Sequence, residues 1–230
     1  LDTFTSWVRV SGVDRTLFEE AAGASRCATS NYYVTNHFMG HGHWLWLIPI
    51  CAETGTVSVG GMFHKKIFGE NPLDREEKLS AFLKANHEVL FKLVDSGDNV
   101  DFIHWPNPSH QSKRMFSQDR WYALGDAAFF GDAFYSLGIS TVAVAVSSIT
   151  EIIRARMAGE PDAAEKTEAY NDFNLEFGMT AMSLYRDHVH HLGNASAMSW
   201  RIYLEYMWWF GLWVPAFIGK WHLDVDMCRT

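Results

Sequence analysis

Cysteine is scarce in this 230-residue chain: Cys27, Cys51 and Cys228 stand far apart and form no C-x-x-C pair. That excludes a disulfide framework and a zinc ribbon, and it leads us to expect a reducing, cytoplasmic setting. Positive charge is also thin. Lys and Arg number 19 against 27 Asp and Glu, for a net charge of −8, and no basic run forms a local exception. A polyanion is repelled by such a chain, so nucleic acid is not an expected partner. No stretch of 18 uncharged apolar residues occurs; the nearest approach, Tyr206 to Gly219, is short and broken by Pro215, and no membrane role is expected. Histidine is plentiful, with His41 and His43 flanking Gly42 and His188 and His191 at helical spacing beside Asp187. No H-E-x-x-H or fixed carboxylate partner accompanies them, so no metal site is assigned. Also missing are the G-x-G-x-x-G fingerprint and its strand–helix–strand unit. The chain opens at Leu1 in a strand-like run with no signal-peptide pattern, and we expect an upstream part to be absent.

What is present is enough for a sizeable core: hydrophobic residues make up 48% and charged residues 20%. Alternation and aromatic or β-branched content predict strands at Thr3–Val10, Asn31–Asn36, His43–Ile50 and Thr56–Phe63, the last two as an antiparallel hairpin. Asn71 as cap and Pro72 at the first helical position open one long helix over 72–96, with Gly97 at its end. A loose segment with Pro106 and Pro108 leads to a short buried strand at Arg120–Leu124. A small-residue helix over Ile139–Met157 follows, broken at Gly159. Asp162 caps a further helix to about His191, and Ala195 to Trp213 is helical.

Two motifs carry the chemistry. In Gly125-Asp126 and the following Asp132-Ala133-Phe134-Tyr135-Ser136-Leu137-Gly138-Ile139, a glycine turn and a carboxylate precede a helix start. Glycines permit close backbone approach, and the free N–H groups of a helix start favour an anion or an electron-rich ring edge. A plain β–turn–α connection has the same spacing. In Trp44-Leu45-Trp46-Leu47-Ile48-Pro49, a strand places Trp44, Trp46 and Ile48 on one face, as a rigid wall or as ordinary sheet packing.

In this order, W-x-W-x-I-P, a strand resembling S-V-G, a helix, then L-G-D-A-A…D-x-F…S-x-G-I, the motifs resemble the C-terminal half of the flavin-dependent halogenases and related FAD-dependent monooxygenases of the hydroxybenzoate-hydroxylase fold. The resemblance spans about Thr3 to Gly159. It implies an α+β fold: an antiparallel-sheet substrate domain over 1–120, the C-terminal part of a GR2-type FAD-binding α/β domain over 121–160, and aromatic-rich C-terminal helices over 161–230, with the N-terminal dinucleotide-binding βαβ unit missing. By position, Gly125 and Asp126 would hold FAD, and Asp132, Ser136, Leu137, Gly138 and Ile139 would border its ring. Trp44, Trp46, Ile48 and Pro49 would supply the halogenase signature that keeps substrate away from the flavin.

The implied chemistry uses FAD reduced by a separate flavin reductase, oxygen, and chloride or bromide. A lysine delivers the electrophilic halogen to an electron-rich small molecule, free or carrier-protein-bound. This chain has no Lys before Lys65, and Lys65 and Lys66 read as a solvated strand end or turn. Ala133 stands where the family has Pro, Leu137 where it has a small or hydroxyl residue, and Tyr135 where the tryptophan halogenases have Glu. The last points to phenolic, pyrrolic or aliphatic substrates. The alternatives are a flavin monooxygenase and a non-catalytic module without the dinucleotide half; oligomeric state is left open.

Overall fold

The computed structural model of the protein describes residues 1–22, 29–70, 72–186 and 188–229. Cys27, the Asn71 cap and Asp187 fall outside the described residues, as does the side chain of His188. The chain divides into two compact units, residues 2–108 with 192–194, and residue 1 with 109–191 and 195 onward.

In the first unit, β1 (Thr3–Ser11), α1 (Thr16–Ala22), β2 (Asn36–Gly40), β3 (His43–Cys51), β4 (Thr56–His64), α2 (Lys65–Phe68), α3 (Glu76–Asn86), α4 (Glu88–Asp95) and β5 (Asp98–Trp105) follow in order. The strands form one antiparallel sheet ordered β2-β3-β4-β1-β5. Strand alternation sends Phe4, Val8, Leu45, Leu47, Val59 and Phe63 to one face, where they share a buried core with Leu79 and Leu83 of α3 and Leu90 and Leu93 of α4. The opposite face carries Trp7, Trp44 and Trp46. Gly60 pairs with both Trp7 and Trp46, so these three residues lie side by side. The two indoles meet across the glycine with ring centroids 6.2 Å apart. A Cβ on Gly60 would stand 2.1 Å from the Cβ of Trp7 and 2.6 Å from the carbonyl oxygen of Ser6.

Four expectations about this unit need correction. Asn31–Asn36 is not a strand. Ser30 Oγ accepts from the Tyr32 N–H (3.2 Å) to open a 3-10 turn at Asn31–Tyr33, and Asn36 Nδ2 donates to the carbonyls of Asn31 (2.8 Å) and Val34 (2.9 Å). These local bonds compete with a sheet ladder, and β2 starts only at Asn36. The long helix over 72–96 is two helices: α3 starts at Glu76, and His87 at φ −141° interrupts before α4. The Pro-flanked segment thought loose contains β5, paired along β1 from Thr5 to Ser11 and tied by the Arg9–Asp101 ion pair. Lys65 is not solvated: its side chain is 8% exposed, and its ammonium donates to Asn107 Oδ1 (2.7 Å) and pairs with Glu70 (2.9 Å).

The second unit contains a two-stranded pair, β6 (His110–Gln111) with β7 (Phe129–Phe130), then α5 (Gly138–Ala158), α6 (Ala163–Tyr185), α7 (Ala195–Trp208), a π-helical turn at Trp209–Trp213 and α8 (Val214–Ile218). The buried residues of α5 include Ala145, Ser148 and Ala155, small enough for close helix approach, and Ser148 Oγ accepts from Asn174 Nδ2 of α6 at 3.2 Å. By length and composition α5, and not the expected Tyr206–Gly219 stretch, is the helix apolar enough to cross a membrane among the described residues. Its buried stripe belongs to the core shared with Ala169 and Tyr170 of α6. The π turn follows from Pro215, which has no N–H to offer the Gly211 carbonyl; the Val214 N–H bonds instead to Trp209, five residues back.

Three further corrections belong here. Arg120–Leu124 is not a buried strand: Arg120 turns at φ +67°, Trp121 is 47% exposed, and a single bridge joins Tyr122 to Phe116. Asp162 does not cap α6 with its side chain; its carboxylate pairs with Lys166 at 3.2 Å. The helix ends at Tyr185, before His191.

Because the contacts around Gly60 are backbone and Cβ atoms, they cannot swing aside. Gly60→Ala should therefore lower stability by about 1–3 kcal/mol, the usual cost of overpacking. A urea titration followed by Trp fluorescence checks this; an unchanged midpoint would refute it.

Candidate functional site

The second unit holds a cavity of about 250 Å³ whose lining includes Asp126, Asp132, Ser136, Leu137, Gly138 and Ile139. Six of the seven residues expected to border a cofactor are thus brought together. The seventh, Gly125, lines a smaller neighbouring cleft with Phe129 and Phe177. Gly125 sits at φ +58° and opens a 3-10 turn over Gly125–Ala127. A ring nitrogen of His110 bonds to the Asp126 carbonyl at 2.7 Å, which pins the turn while the Asp126 side chain stays exposed.

The loop before α5 is built from local bonds. Asp132 is 8% exposed, and its Oδ1 accepts from the Phe134 N–H at 2.9 Å. The Ser136 N–H donates to the Ala133 carbonyl at 3.0 Å, and Ser109 Oγ donates to the Gly131 carbonyl at 2.6 Å. Ser136 itself lies at φ +55°, a left-handed conformation that costs a non-glycine residue about 1–2 kcal/mol. The chain then enters α5 with no side-chain cap and no acidic residue in the first turn. The Thr141 N–H makes the first intrahelical bond, to Leu137 (3.0 Å). The amides of Gly138, Ile139 and Ser140 therefore have no intrahelical acceptor, and Gly138 and Ile139 are on the cavity wall. A Cβ at Gly138 would meet nothing within 4 Å. Such a helix start suits an anion or the electron-rich edge of a ring.

Sequence reasoning missed the residues behind this wall. Tyr185 of α6 lines the cavity, and its phenol is pushed up by burial and by the charge of Asp132. Tyr135, noticed only as a family substitution, packs on Tyr185 with centroids 5.3 Å apart; burial and a hydrogen bond to Glu205 hold its phenol above the ordinary range. Spacing along the chain carries no signal for these pairings, which α6 and α7 create.

The second predicted set lies in the sheet unit. Trp44 is buried and its indole is 5.6 Å from that of Trp46, whose Nε1 donates to Ser58 Oγ at 3.0 Å. Ile48 on the same face is 37% exposed, and Pro49 stands at the register shift between Pro49 and Cys51 in the β3–β4 ladder. Leu45 and Leu47 face the core, as alternation requires.

The histidines separate. His41 lies in the β2–β3 turn and is exposed, so it shares no strand face with the buried His43. The His43 Nδ1–H donates to the His41 carbonyl (3.2 Å), which leaves its Nε2 as an acceptor for the His87 Nε2–H at 2.8 Å. Phe63, Phe68 and Phe82 surround the His43 ring. Burial and, next, His43 push His87 down to about 4, and burial lowers His43. Among the described residues no group of three His, Cys, Asp or Glu side chains is arranged to hold a metal ion.

No protein-family model matches the chain. Flavin-dependent halogenase chlA of Dictyostelium discoideum is 37% identical over 224 residues, which are 97% of this chain and 37% of that protein. The 1H-pyrrole-2-carbonyl-[peptidyl-carrier protein] brominase of Pseudoalteromonas luteoviolacea (strain 2ta16) is 30% identical over 105 residues, 43% of this chain and 24% of that one. Among solved structures, halogenase PltM in complex with phloroglucinol and FAD has the same fold over 98% of this chain and 45% of its own, with a TM-score of 0.72 at 18% identity. The chain thus spans about a third or less of the length of the curated relatives it matches.

The histidine pair has a pH signature. His87 in the folded chain titrates near 4, below the roughly 6.5 of an unfolded histidine, so on acidification the unfolded state takes up the proton first. Stability should fall as pH drops from about 6.5 towards 4. His87→Gln keeps an N–H for His43 and removes that titration, so its thermal midpoint should fall less steeply over the same range. Equal slopes would refute the assignment.

Proposed function

The chain belongs to the flavin-dependent halogenases, and on that premise we propose that it forms the C-terminal portion of an FAD-dependent halogenase whose flavin ring is bordered by the cavity at Asp126 and Asp132–Ile139. The observation that carries this reading is the uncapped start of α5 inside that cavity, reached by a left-handed residue rather than a glycine.

The residues present fit a flavin. The open side of Gly138 admits a ring close to the backbone. The unpartnered amides of the first turn of α5 offer donors to the polar edge of an isoalloxazine, which becomes more electron-rich on reduction. The Gly125 turn presents backbone and the Asp126 carboxylate at the rim, where ligand hydroxyls could be received. Buried Leu137 adds an apolar side to the cavity and excludes water there. When bound, reduced FAD with oxygen and chloride or bromide supplies an electrophilic halogen; the protein's part is to hold and shield it.

The indoles of Trp44 and Trp46 supply the halogenase signature as a rigid apolar wall of the sheet unit. The substrate class is an electron-rich small molecule such as a phenol or pyrrole, free or carrier-bound, and a separate cytoplasmic reductase provides the reduced flavin. Tyr135 in place of a carboxylate favours substrates that need no acidic partner at that position.

Two experiments test this. The protein supplied with FAD, a flavin reductase, bromide and a panel of phenols and pyrroles should give brominated products, recognised by their isotope pattern. Hydroxylated products alone would assign it to the monooxygenases, and no product with flavin bound would support a non-catalytic module. Separately, Ile139→Glu places a carboxylate at the cavity edge on a residue that is 85% exposed, in a helix turn where acidic residues are favourable. Flavin affinity should fall about tenfold, roughly the cost of one unfavourable charge contact, while thermal stability holds.

A further inference from the structure

We infer that the cleft between α3, α4 and the β1–β5 edge of the sheet is a binding site for a small alkylammonium cation, with the ammonium at Glu76, Asp95 and Asn99 and the alkyl stem on the valines and leucines beneath. The cleft lies wholly within the sheet unit, and none of its residues belongs to the motifs read as flavin border or halogenase signature.

The cleft has a volume of about 170 Å³. That is room for about five or six waters at roughly 30 Å³ each, or for an amine of about four to six carbons. Buried Val8 and Val10 of β1 and Leu79 and Leu83 of α3 form its floor. Glu76, Asp95 and Asn99, which reach solvent, supply its polar lining, and among the described residues no Lys, Arg or His lines it.

The sheet breaks register to put an amide there. Arg9 pairs with Asp101, but the next residue, Val10, pairs with Asn99, which leaves Val100 without a partner in the β1–β5 ladder. In a regular strand Asn99 would share the outward face of Asp101, two residues away, and Val100 would turn to the core beside Val10. The bulge exchanges them. Asn99 takes the face of Val10, where its Nδ2 donates to Glu76 Oε2 at 2.5 Å, and Val100 is left 55% exposed. A local rule is broken here in favour of a polar group at the cleft, a pattern typical of functional sites.

The charges call for a cation from outside the chain. Asp95 ends α4, where the last carbonyls already concentrate negative partial charge and a carboxylate is unfavourable. Among the described residues it forms no ion pair, and Glu76 is bonded only to the neutral amide of Asn99. The lysines of the two helices are engaged elsewhere: Lys78 with Asp74 (2.6 Å), Lys92 with Glu88 (2.7 Å) and Lys84 over the ring of Phe91 (5.3 Å). Arg9 is held by Asp101, and Arg75, next to Glu76, does not line the cleft. An ammonium brings three donors to these acceptors, and its stem covers the valines and leucines. A metal ion would make no use of that floor, and among the described residues no group of three His, Cys, Asp or Glu side chains is arranged to hold one. A neutral apolar molecule would desolvate the carboxylates without pairing them.

The test is an NMR titration of the whole chain near neutral pH with isoamylamine, isoamyl alcohol, methylamine and calcium chloride. Isoamylammonium should shift the amides of residues 76–83 and 94–99 with a Kd of about 1 mM, the scale open to a ligand of so few atoms. Isoamyl alcohol has the stem without the charge and methylammonium the charge without the stem, and each should bind about tenfold more weakly. Glu76→Gln and Asp95→Asn should each weaken isoamylammonium about fivefold, while Asp95→Asn, which relieves the end of α4, keeps or raises the melting temperature. No shift of these amides with isoamylammonium overturns the inference, and so do shifts confined to other residues. Alcohol binding as tight as amine binding, or unchanged affinity in both variants, overturns the assignment of charge. Methylammonium binding as tight as isoamylammonium overturns the role of the floor. Calcium binding at the cleft more tightly than the amine replaces the alkylammonium by a metal ion. Tighter binding of Nα-acetyl-lysine methylamide at the same amides overturns the free amine in favour of a protein lysine. The ligand series on the wild-type chain decides the matter should a variant fail to fold.

Discussion

The candidate site depends on a short run of backbone amides left without acceptors at the start of α5. A 21-residue helix concentrates partial positive charge at that end, and most helices of this length quench it with a Ser, Thr or Asp cap or an acidic first turn. Here Leu137 occupies the cap position, and neither device is present. An uncapped start costs stability unless something else bonds to it. The glycine at 138 then keeps the approach open. Together these choices leave the start of the helix open on the cavity side, a local departure from helix propensity of the kind the proposed site would use.

The sheet unit divides its two faces: Phe4, Val8, Leu45 and Leu47 pack into the core on one, and Trp7, Trp44 and Trp46 cluster on the other. Register is the governing constraint there. The pairing of Trp7 and Trp46 with Gly60 depends on all three strands keeping step, because a shift of one residue would turn the indoles into the Leu45–Leu47 core. The turn between β2 and β3 enforces the same register at the edge: Gly42 sits at φ +76°, and Gly40 lies under the His43 ring, where a Cβ would come within 2.2 Å of it. The imidazole of His43 is boxed by phenylalanines and bonded to His87, the residue at which α3 ends and α4 begins.

Those particulars explain what could be read from the chain in advance. The β3–β4 hairpin was legible because alternation, aromatic content and a glycine turn all agree at His43–Phe63. Helix α5 was legible because Gly159 terminates a run of small and apolar residues with the correct period. β5 was not, since Asp98-Asn99-Val100-Asp101 lacks a strand-like composition and gains its place from the ladder with β1. The break at His87 was equally hidden, because no glycine or proline marks it between Pro72 and Gly97. Asn31–Asn36 misled because its tyrosines and valine favour strand, while Ser30 and Asn36 capture the backbone locally. At the site the glycines and carboxylates advertised themselves by spacing. Tyr185 did not, since its place on the cavity wall exists only once α6 packs behind the loop.

One electrostatic tension remains in the picture of an anion-friendly cavity. The chain carries a net charge of −8, and two of the cavity's residues are aspartates. Their charges are disposed differently. Asp132 turns inward, where its carboxylate accepts the Phe134 N–H and raises the phenol of its neighbour Tyr185. Its charge is thus engaged by the loop's own donors. Asp126 is exposed, where water and salt screen it over roughly 10 Å. The bare amides of α5, in contrast, lie at the wall itself, and a ring held against them is shielded from solvent on that side. At contact distance unscreened donors outweigh screened charges farther off. At the proposed site the helix start, rather than the net acidity of the surrounding chain, would set the local field at the polar edge of a flavin.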